Sequence, residues 1–181
     1  MAEPLREVTV PEAKPAFEWV GGRAIQKVSP KRRHALMQTA IASAMREWAR
    51  GRGDVGTEWR FRVSPPGEIR RPLVPDVAFL SSQRKSGLKG EDLEAPPLAP
   101  DIAVEILSPD DKKSIVDEKR RVYLASGVNL LIHVDPQRKR VEAYHADGTH
   151  EIVDTAIPYS APEFPELVLP FGEFFEELDR G

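Results

Sequence analysis

The segment Ile102-Ala-Val-Glu-Ile-Leu107 decides the fold, because it is a predicted strand from which the chain crosses over to the next strand. Its apolar residues surround a single acid, Glu105, and an amphipathic helix is predicted next, over residues 113–126, with Gly127 ending it. A further apolar run, Leu130–Val134, follows the helix. A helix that joins two neighbouring strands implies a right-handed crossover between parallel strands. The sequence therefore predicts at least one parallel strand pair.

The remaining predicted elements surround this unit. Residues 81–100 form a long Pro-rich stretch, which we expect to be functional or to contain a short helix, because structureless loops of this length are uncommon in compact domains. The order helix, three strands, helix, strand (αβββαβ) predicts the α/β class, with a mixed β-sheet flanked by helices. The other predicted elements are a hairpin over Phe17–Val28 that turns at Gly21-Gly22, a helix that starts at Ser29-Pro30 and ends by Gly51, strands over Val55–Val63 and Leu73–Leu80, an edge strand over Arg138–Tyr144 and a closing helix over Phe171–Leu178.

The bulk composition fits a globular protein. We expect residues 1–16, which are polar and contain three prolines, to form a loose N-terminal arm, and residues 17–181 to form a single domain. No apolar run approaches the ~20 residues of a membrane span, and the N-terminus lacks the basic-then-apolar order of a secretion signal. The absence of cysteine excludes thiolate metal sites and favours a cytoplasmic protein. The net charge of −3 counts against tight nonspecific DNA binding, but not against an enzyme that contacts a few phosphates.

Two acids occur in apolar settings that a packed fold would avoid without a reason. Glu105 is one, and Asp76, within Leu73-Val-Pro-Asp-Val-Ala-Phe-Leu80, is the other. If both strands belong to one sheet, the two carboxylates can converge, and they then repel each other unless a cation lies between them. Oxygen ligands without nearby cysteine suit Mg²⁺ or Mn²⁺ rather than zinc.

Lys119 lies at the centre of the predicted buried face of the helix that follows Glu105. With helical periodicity it falls between Ile115, Val116, Val122 and Tyr123. A lysine in this position either extends outward along the helix to reach solvent or reaches over the sheet towards the carboxylates. Periodicity alone weighs the two alternatives about evenly.

These three residues permit metal-assisted hydrolysis of a phosphodiester. A cation held by Asp76 and Glu105 would polarise a phosphoryl oxygen and lower the pKa of a bound water. Lys119 would orient or help to deprotonate that water, or stabilise negative charge in the transition state. Two weaker candidates are His34, more simply explained as a hydrogen-bonded histidine at a helix start, and Glu18, more simply explained as an exposed glutamate.

Short motifs distributed over about residues 17–144 resemble a known family. They are Phe17-Glu-Trp-Val-Gly-Gly22, Ser29-Pro30 with His34, Val74-Pro-Asp-Val77, Val104-Glu-Ile-Leu-Ser-Pro109, Glu118-Lys119 with Tyr123, Gly127-Val128 and Val134-Asp-Pro136. Each motif alone is weak. In this order and spacing they resemble the Uma-type restriction endonucleases, a former domain-of-unknown-function group within the PD-(D/E)XK nuclease superfamily.

The resemblance implies a restriction-endonuclease-like core and a role for each of the three residues. Asp76 and Glu105 match the superfamily's metal-binding acids. The usual superfamily lysine would stand two residues after the glutamate, where this chain has Leu107. Lys119 matches the helix position to which the lysine is thought to have moved in the Uma-type family. Ile115 is a departure, because the family often has an aspartate there.

The leading hypothesis is a Mg²⁺- or Mn²⁺-dependent DNA endonuclease, expected to be a homodimer because two symmetric sites are the simplest way to cut both strands of a duplex. The alternative is a nuclease fold retained to bind nucleic acid or a protein partner. Ile115 and the net negative charge favour the alternative, whereas the presence of Asp76, Glu105 and Lys119 opposes it. Hydrolysis of another phosphate ester is a third possibility, although no Gly-rich phosphate loop occurs. The choice between DNA and RNA stays open.

Overall fold

The structure, a computed structural model, describes residues 6–181. Within these residues the chain forms ten strands and five helices. They are β1 (Phe17–Val20), β2 (Arg23–Gln26), α1 (Arg32–Trp48), β3 (Gly53–Thr57), β4 (Phe61–Val63), β5 (Arg71–Leu73), β6 (Val77–Ser81), α2 (Ser82–Lys85), α3 (Glu91–Glu94), β7 (Ile102–Ile106), α4 (Lys113–Ala125), β8 (Leu130–Asp135), β9 (Arg140–His145), β10 (His150–Ile152) and α5 (Phe171–Asp179).

A six-stranded mixed sheet with the order β10-β9-β8-β7-β6-β3 forms the centre of the fold. β7 and β8 are parallel, and the other neighbours in this sheet are antiparallel. α4 connects the two parallel strands, so the predicted parallel pair with a helical connection is confirmed. The predicted order αβββαβ is also confirmed, as α1, β3, β6, β7, α4 and β8.

The two faces of the sheet bury two separate hydrophobic clusters. Because side chains alternate along a strand, β7 contributes Ile102, Val104 and Ile106 to the cluster that contains α1 and α5. On the opposite face, Ala103 belongs to the cluster that contains Val122 and Tyr123 of α4. Glu105 shares the face of Ala103, so its carboxylate lies on the side of the sheet that α4 covers.

Two predicted strands are each divided in the structure. The prediction of one strand over Val55–Val63 is wrong, because the chain turns at Glu58, whose φ of 51° takes it out of the extended conformation. The prediction over Leu73–Leu80 is wrong in the same way, because the segment between β5 and β6 contains Pro75, which has no N–H to donate to a sheet. As a result β4 pairs with β5 in a small separate sheet.

Two other boundaries differ from prediction. α1 starts at Arg32 with Lys31 as N-cap rather than at Ser29-Pro30, and the Arg32 guanidinium donates to the carbonyls of Leu178 (3.0 Å) and Arg180 (2.9 Å) at the end of α5. This long-range contact is invisible to local sequence. β9 is not an edge strand, because β10 pairs with it. The alternation of polar and apolar residues in β9 arises because one face of the strand is polar, not because the strand lacks a neighbour.

Other predicted elements agree with the structure. The β1–β2 hairpin, α4 and α5 lie where expected, and the 81–100 stretch contains the short helices α2 and α3. Of the predicted N-terminal arm, residues 1–5 lie outside the described residues. Within its described part, Val8 N–H donates to the Arg70 carbonyl and Arg70 N–H donates to the Arg6 carbonyl, both at 2.9 Å. None of the helices within residues 6–181 has the length and apolar character to cross a membrane.

Candidate active site

Asp76 is held against the end of β7 by its backbone and its side chain. Its N–H donates to the Val104 carbonyl at 3.0 Å, and its Oδ2 accepts from the Ile106 N–H at 2.7 Å. The two backbone neighbours of Glu105 therefore fix Asp76 beside it. The side chain of Asp76 is buried. The sequence-based expectation that the two acids converge agrees with this geometry.

Two cationic or ionisable groups surround the Asp76 carboxylate. Lys27 Nζ lies 2.8 Å from Oδ1, and His34 Nε2 lies 3.3 Å from Oδ2. Burial alone would raise the pKa of Asp76, but the Lys27 charge and the His34 hydrogen bond outweigh it and hold the pKa well below its usual range. Asp76 is therefore an anion in this setting.

Glu105 has a different balance of neighbours. Its Oε2 lies 2.8 Å from Lys119 Nζ, and its Oε1 accepts from the Tyr123 hydroxyl at 2.8 Å. Burial raises the pKa of Glu105 to about 7, with Asp76 and Glu18 adding to the rise and Lys119 opposing it. The main cause of the raised pKa is thus burial of the carboxylate, which the Lys119 ammonium offsets only in part.

Lys119 points inward, so the outward-reaching alternative does not describe this structure. Its ammonium lies 2.8 Å from Glu105 Oε2 and 3.0 Å from Glu18 Oε1, and the residue is 8% exposed. Burial disfavours the ammonium, but Glu105 and Glu18 together raise the pKa of Lys119 above its ordinary value.

The simpler expectation, that Glu18 is an exposed glutamate, is wrong. It is 5% exposed, and its Oε1 accepts from the Val74 N–H at 2.8 Å. β1 carries it over the sheet, where it contacts the ammonium of Lys119. The sequence suggested an exposed residue because a glutamate on a short hairpin strand normally faces solvent.

Three residues of the site were not found from the sequence: Lys27, Gln38 and Glu58. Lys27 Nζ contacts the Val74 carbonyl and Asp76 Oδ1, both at 2.8 Å, and Glu58 Oε2 at 3.1 Å. Gln38 Nε2 donates to the Asp76 carbonyl (2.8 Å) and to Glu58 Oε1 (3.0 Å).

A usable pattern existed for two of these residues. Lys27 follows Ile25 by two residues along the hairpin, and Ile25 is the cross-strand partner of Glu18, so all three side chains share one face. Gln38 lies one helical turn after His34 and shares its face of α1. No local pattern indicates Glu58, whose position depends on the break between β3 and β4.

His34 and Ile115 also line the site. His34 is hydrogen-bonded at a helix start, as the simpler expectation had it, but its partner is the Asp76 carboxylate, and its Nδ1 is buried without a partner within residues 6–181. Ile115 is half-buried and packs against the cluster beneath α4. The nearby Asp117 pairs with Lys113 and Arg120 of its own helix rather than with the acids.

One large cleft of about 1320 Å³ is bordered by most of the site residues, namely Glu18, Lys27, His34, Gln38, Glu58, Asp76, Glu105, Ile115 and Lys119. The hairpin, the start of α1, the end of β7 and the start of α4 form its walls. The site acids therefore line a cleft rather than a sealed core, although the side chains of Asp76 and Glu105 are themselves buried.

A known protein family and a solved structure are similar to this chain. The family model described as "Uma2: Putative restriction endonuclease" matches residues 3–174. The chain belongs to this family. It is also similar to the crystal structure of "a putative nuclease belonging to DUF820" from Anabaena variabilis ATCC 29413, with 27% sequence identity, coverage of 93% of this chain and 94% of that chain, and a TM-score of 0.78. None of the curated proteins matches the chain.

Membership of the Uma2 family confirms the resemblance seen in the sequence, and the similar crystal structure confirms the predicted fold class. Nuclease families of this kind generally use divalent metals, so the donor set has to be compared with such an ion. Within residues 6–181, no three His, Asp or Glu side chains are grouped so that they could enclose an ion by themselves. Mg²⁺ usually keeps several waters and binds through one or two carboxylates. Asp76 and Glu105 fit this open type of site.

The charges of the linked cluster also fit a divalent cation. Glu18, Glu58, Asp76 and Glu105 supply four negative charges, and Lys27 and Lys119 supply two positive charges. With every carboxylate ionised and His34 neutral, two negative charges are in excess. Burial raises the pKa values of Glu105 and Glu58, and the Asp76 carboxylate outweighs burial to raise the pKa of His34, so protonation reduces this excess in the metal-free protein. A divalent cation would favour the ionised form of these carboxylates, so its binding would release protons.

Proposed function

We propose that this protein is a metal-dependent endonuclease that hydrolyses phosphodiester bonds of DNA. Asp76 and Glu105 would hold Mg²⁺ or Mn²⁺, and Lys119 would act on the attacking water. The observation that carries the proposal is the direct linkage of the three residues along one cleft: Asp76 bonds to the backbone next to Glu105, and Glu105 bonds to Lys119. The family match supports nuclease chemistry as the class of reaction.

Each side chain contributes through its contacts. A bound divalent ion would supply Lewis-acid polarisation of the phosphate and a more acidic water. Asp76 is oriented by the Ile106 N–H, and Glu105 by the Tyr123 hydroxyl. An ammonium has three N–H donors, and Glu105 and Glu18 accept from that of Lys119. The remaining donor would orient the water or stabilise charge on a phosphoryl oxygen.

A plasmid-nicking assay tests this proposal. Supercoiled plasmid is incubated with the wild-type protein in Mg²⁺, in Mn²⁺ and in EDTA, and with Asp76→Ala, Glu105→Ala and Lys119→Ala. We expect nicking that requires the metal and falls on the order of 10²–10³-fold in each variant. Lys112→Ala, which removes an exposed lysine from the border of the same cleft, is the matched control. Full metal-dependent activity in Asp76→Ala would contradict the assignment.

The second candidate is a binding module without catalysis. It is favoured by one observation, that each of the two acids already has a lysine as its partner. Such a protein would shift labelled DNA or RNA in a gel, or retain a protein partner, without cutting plasmid in either metal. Loss of nicking in Lys119→Ala with unchanged DNA binding would exclude this candidate.

We also propose that the active species is a cytoplasmic homodimer. A duplex has two antiparallel strands, and a symmetric pair of sites matches that symmetry. Light scattering after size-exclusion chromatography measures the mass in solution. A dimer that makes double-strand breaks agrees with this proposal, whereas a monomer that produces only nicked circles contradicts it.

A further inference from the structure

Lys27 is a second lysine among the acids of the site, and the proposed function gives it no role. It follows β2 directly, and its side chain is 14% exposed. Its ammonium contacts three oxygen atoms, those of the Val74 carbonyl, Asp76 Oδ1 and Glu58 Oε2. Since an ammonium has three donors, these contacts satisfy it fully.

The surroundings indicate more than a lysine that covers apolar surface. A lysine of a hairpin would ordinarily keep its charged end in water. Here the end is turned inward to the wall of the cleft that carries Asp76. Glu58, its second carboxylate partner, adopts a left-handed φ of 51°, a conformation unfavourable for residues other than glycine and found preferentially at functional sites.

The Lys27 ammonium contacts the oxygen of Asp76 that a divalent metal ion would need. Asp76 Oδ2 already accepts from the Ile106 N–H and contacts His34. Oδ1 is therefore the oxygen with fewer protein partners, and it is the one that Lys27 contacts at 2.8 Å. A divalent ion that binds Asp76 has to share or displace this contact.

Glu58 is a second carboxylate partner that can keep the Lys27 ammonium paired. It lies 3.1 Å from Lys27 Nζ, is less buried than Asp76, and is held by the Gln38 amide. If the bond to Asp76 is lost, Lys27 keeps Glu58 and the Val74 carbonyl as partners, so its charge is not left unpaired.

We propose that Lys27 is a tethered counter-ion that occupies Asp76 before metal binding and competes with the divalent cation for that carboxylate. When the cation binds, the ammonium stays with Glu58 and the Val74 carbonyl. Lys27 is thus a positioning residue: it keeps Asp76 in place in the metal-free protein and lowers the affinity for the ion. This inference rests on the proposed metal site.

Mn²⁺ binding by the full chain, measured by calorimetry or by the electron paramagnetic resonance of free Mn²⁺, tests the inference without an activity readout. Lys27→Gln and Lys27→Met remove the competing charge, and we expect the Kd for Mn²⁺ to fall about tenfold or more, because a unit charge next to the ion is lost. Lys112→Gln removes a more distant, exposed lysine of the same cleft and is expected to change the Kd less than about twofold. Equal or weaker binding in both Lys27 variants overturns the inference.

The same titration separates failure of this inference from failure of the proposed function. If wild type and Asp76→Asn bind Mn²⁺ alike, the metal site itself is wrong. If binding requires Asp76 but neutral Lys27 variants bind no more tightly, only the role of Lys27 is wrong. Circular dichroism checks that each variant is folded.

A measurement on the wild-type protein covers the case in which the neutral variants do not fold. The ¹⁵N signal of the Lys27 ammonium, assigned by its loss in Lys27→Arg, is followed while Mg²⁺ is added. We expect the signal to shift as the bond to Asp76 is exchanged for the ion. A signal that stays unchanged at saturating Mg²⁺ overturns the inference.

Discussion

The cleft contains two lysine–carboxylate pairs that are positioned by different kinds of structure. Glu105 and Lys119 are carried by β7 and α4, regular elements whose periodicity fixes the direction of each side chain. Asp76 and Lys27 lie in connecting segments, one between β5 and β6 and the other just after β2. Both lysines are buried to a similar degree, but the further carboxylate partner of Lys119 is the buried Glu18, whereas that of Lys27 is the half-exposed Glu58. We infer that the first pair is the rigid half of the site and the second the adjustable half.

The largest loss of stability among these variants is expected for Lys119→Met. This change leaves Glu105 and Glu18 buried without a cation, and removing one partner of a buried pair costs roughly 3–5 kcal/mol of unfolding free energy. Urea denaturation of the metal-free protein measures the loss. The double variant Lys119→Met/Glu105→Gln should recover part of it. Lys113→Met, at an exposed position of the same helix, should change the stability by less than about 1 kcal/mol.

A smaller effect is expected for Tyr123→Phe. The change removes the hydroxyl that donates to Glu105 Oε1 at 2.8 Å but keeps the buried ring. Hydrogen bonds to charged groups contribute about 1.5–3 kcal/mol, so urea denaturation should show a loss in that range. Tyr144→Phe, whose hydroxyl contacts Glu142 near the surface, is the comparison variant. An equal loss in both variants would mean that the Glu105 side is not specially rigid.

Lys27→Gln should cost less stability than Lys119→Met. The glutamine amide can still donate to the Val74 carbonyl, and the partners of Lys27 include the partly solvated Glu58. We expect a loss of about 1–2 kcal/mol in EDTA, within the usual range for point changes. A loss as large as that of Lys119→Met, measured in the same denaturant series, would remove the distinction between a rigid and an adjustable half.

The smallest effect concerns the backbone of Glu58. Both Glu58→Gly and Glu58→Ala remove the carboxylate, but only glycine accepts the φ of 51° without steric cost. Glu58→Gly should therefore be more stable than Glu58→Ala by about 1 kcal/mol. Thermal denaturation in EDTA compares the two. Equal stability would indicate that the turn relaxes when the carboxylate is absent.

The difference between the two pairs also explains which parts could be predicted from the sequence. The αβββαβ order and the parallel pair follow from periodicity, which regular elements obey. Periodicity also places Lys119 on the buried face of its helix, but it leaves open whether the ammonium reaches solvent or the carboxylates. Asp76 and Glu105 were indicated by their apolar neighbours. Lys27 and Glu58 were missed because their side chains are directed by a hairpin end and a left-handed turn. The hairpin alternation places Lys27 on the face of Glu18, but its contact with Asp76 and the position of Glu58 depend on segments that are distant in the chain, which no local pattern encodes.

The division of the site has a consequence for the order in which it can assemble during folding. Glu105 and Lys119 are 14 residues apart, and their contact belongs to one strand–helix unit. Lys27 and Asp76 are separated by 49 residues, and Glu18 and Lys119 by 101. Contacts between nearby residues lose less chain entropy when they form. We therefore expect Glu105 and Lys119 to meet early, and the N-terminal hairpin to complete the cleft in a late step that brings Glu18 and Lys27 together.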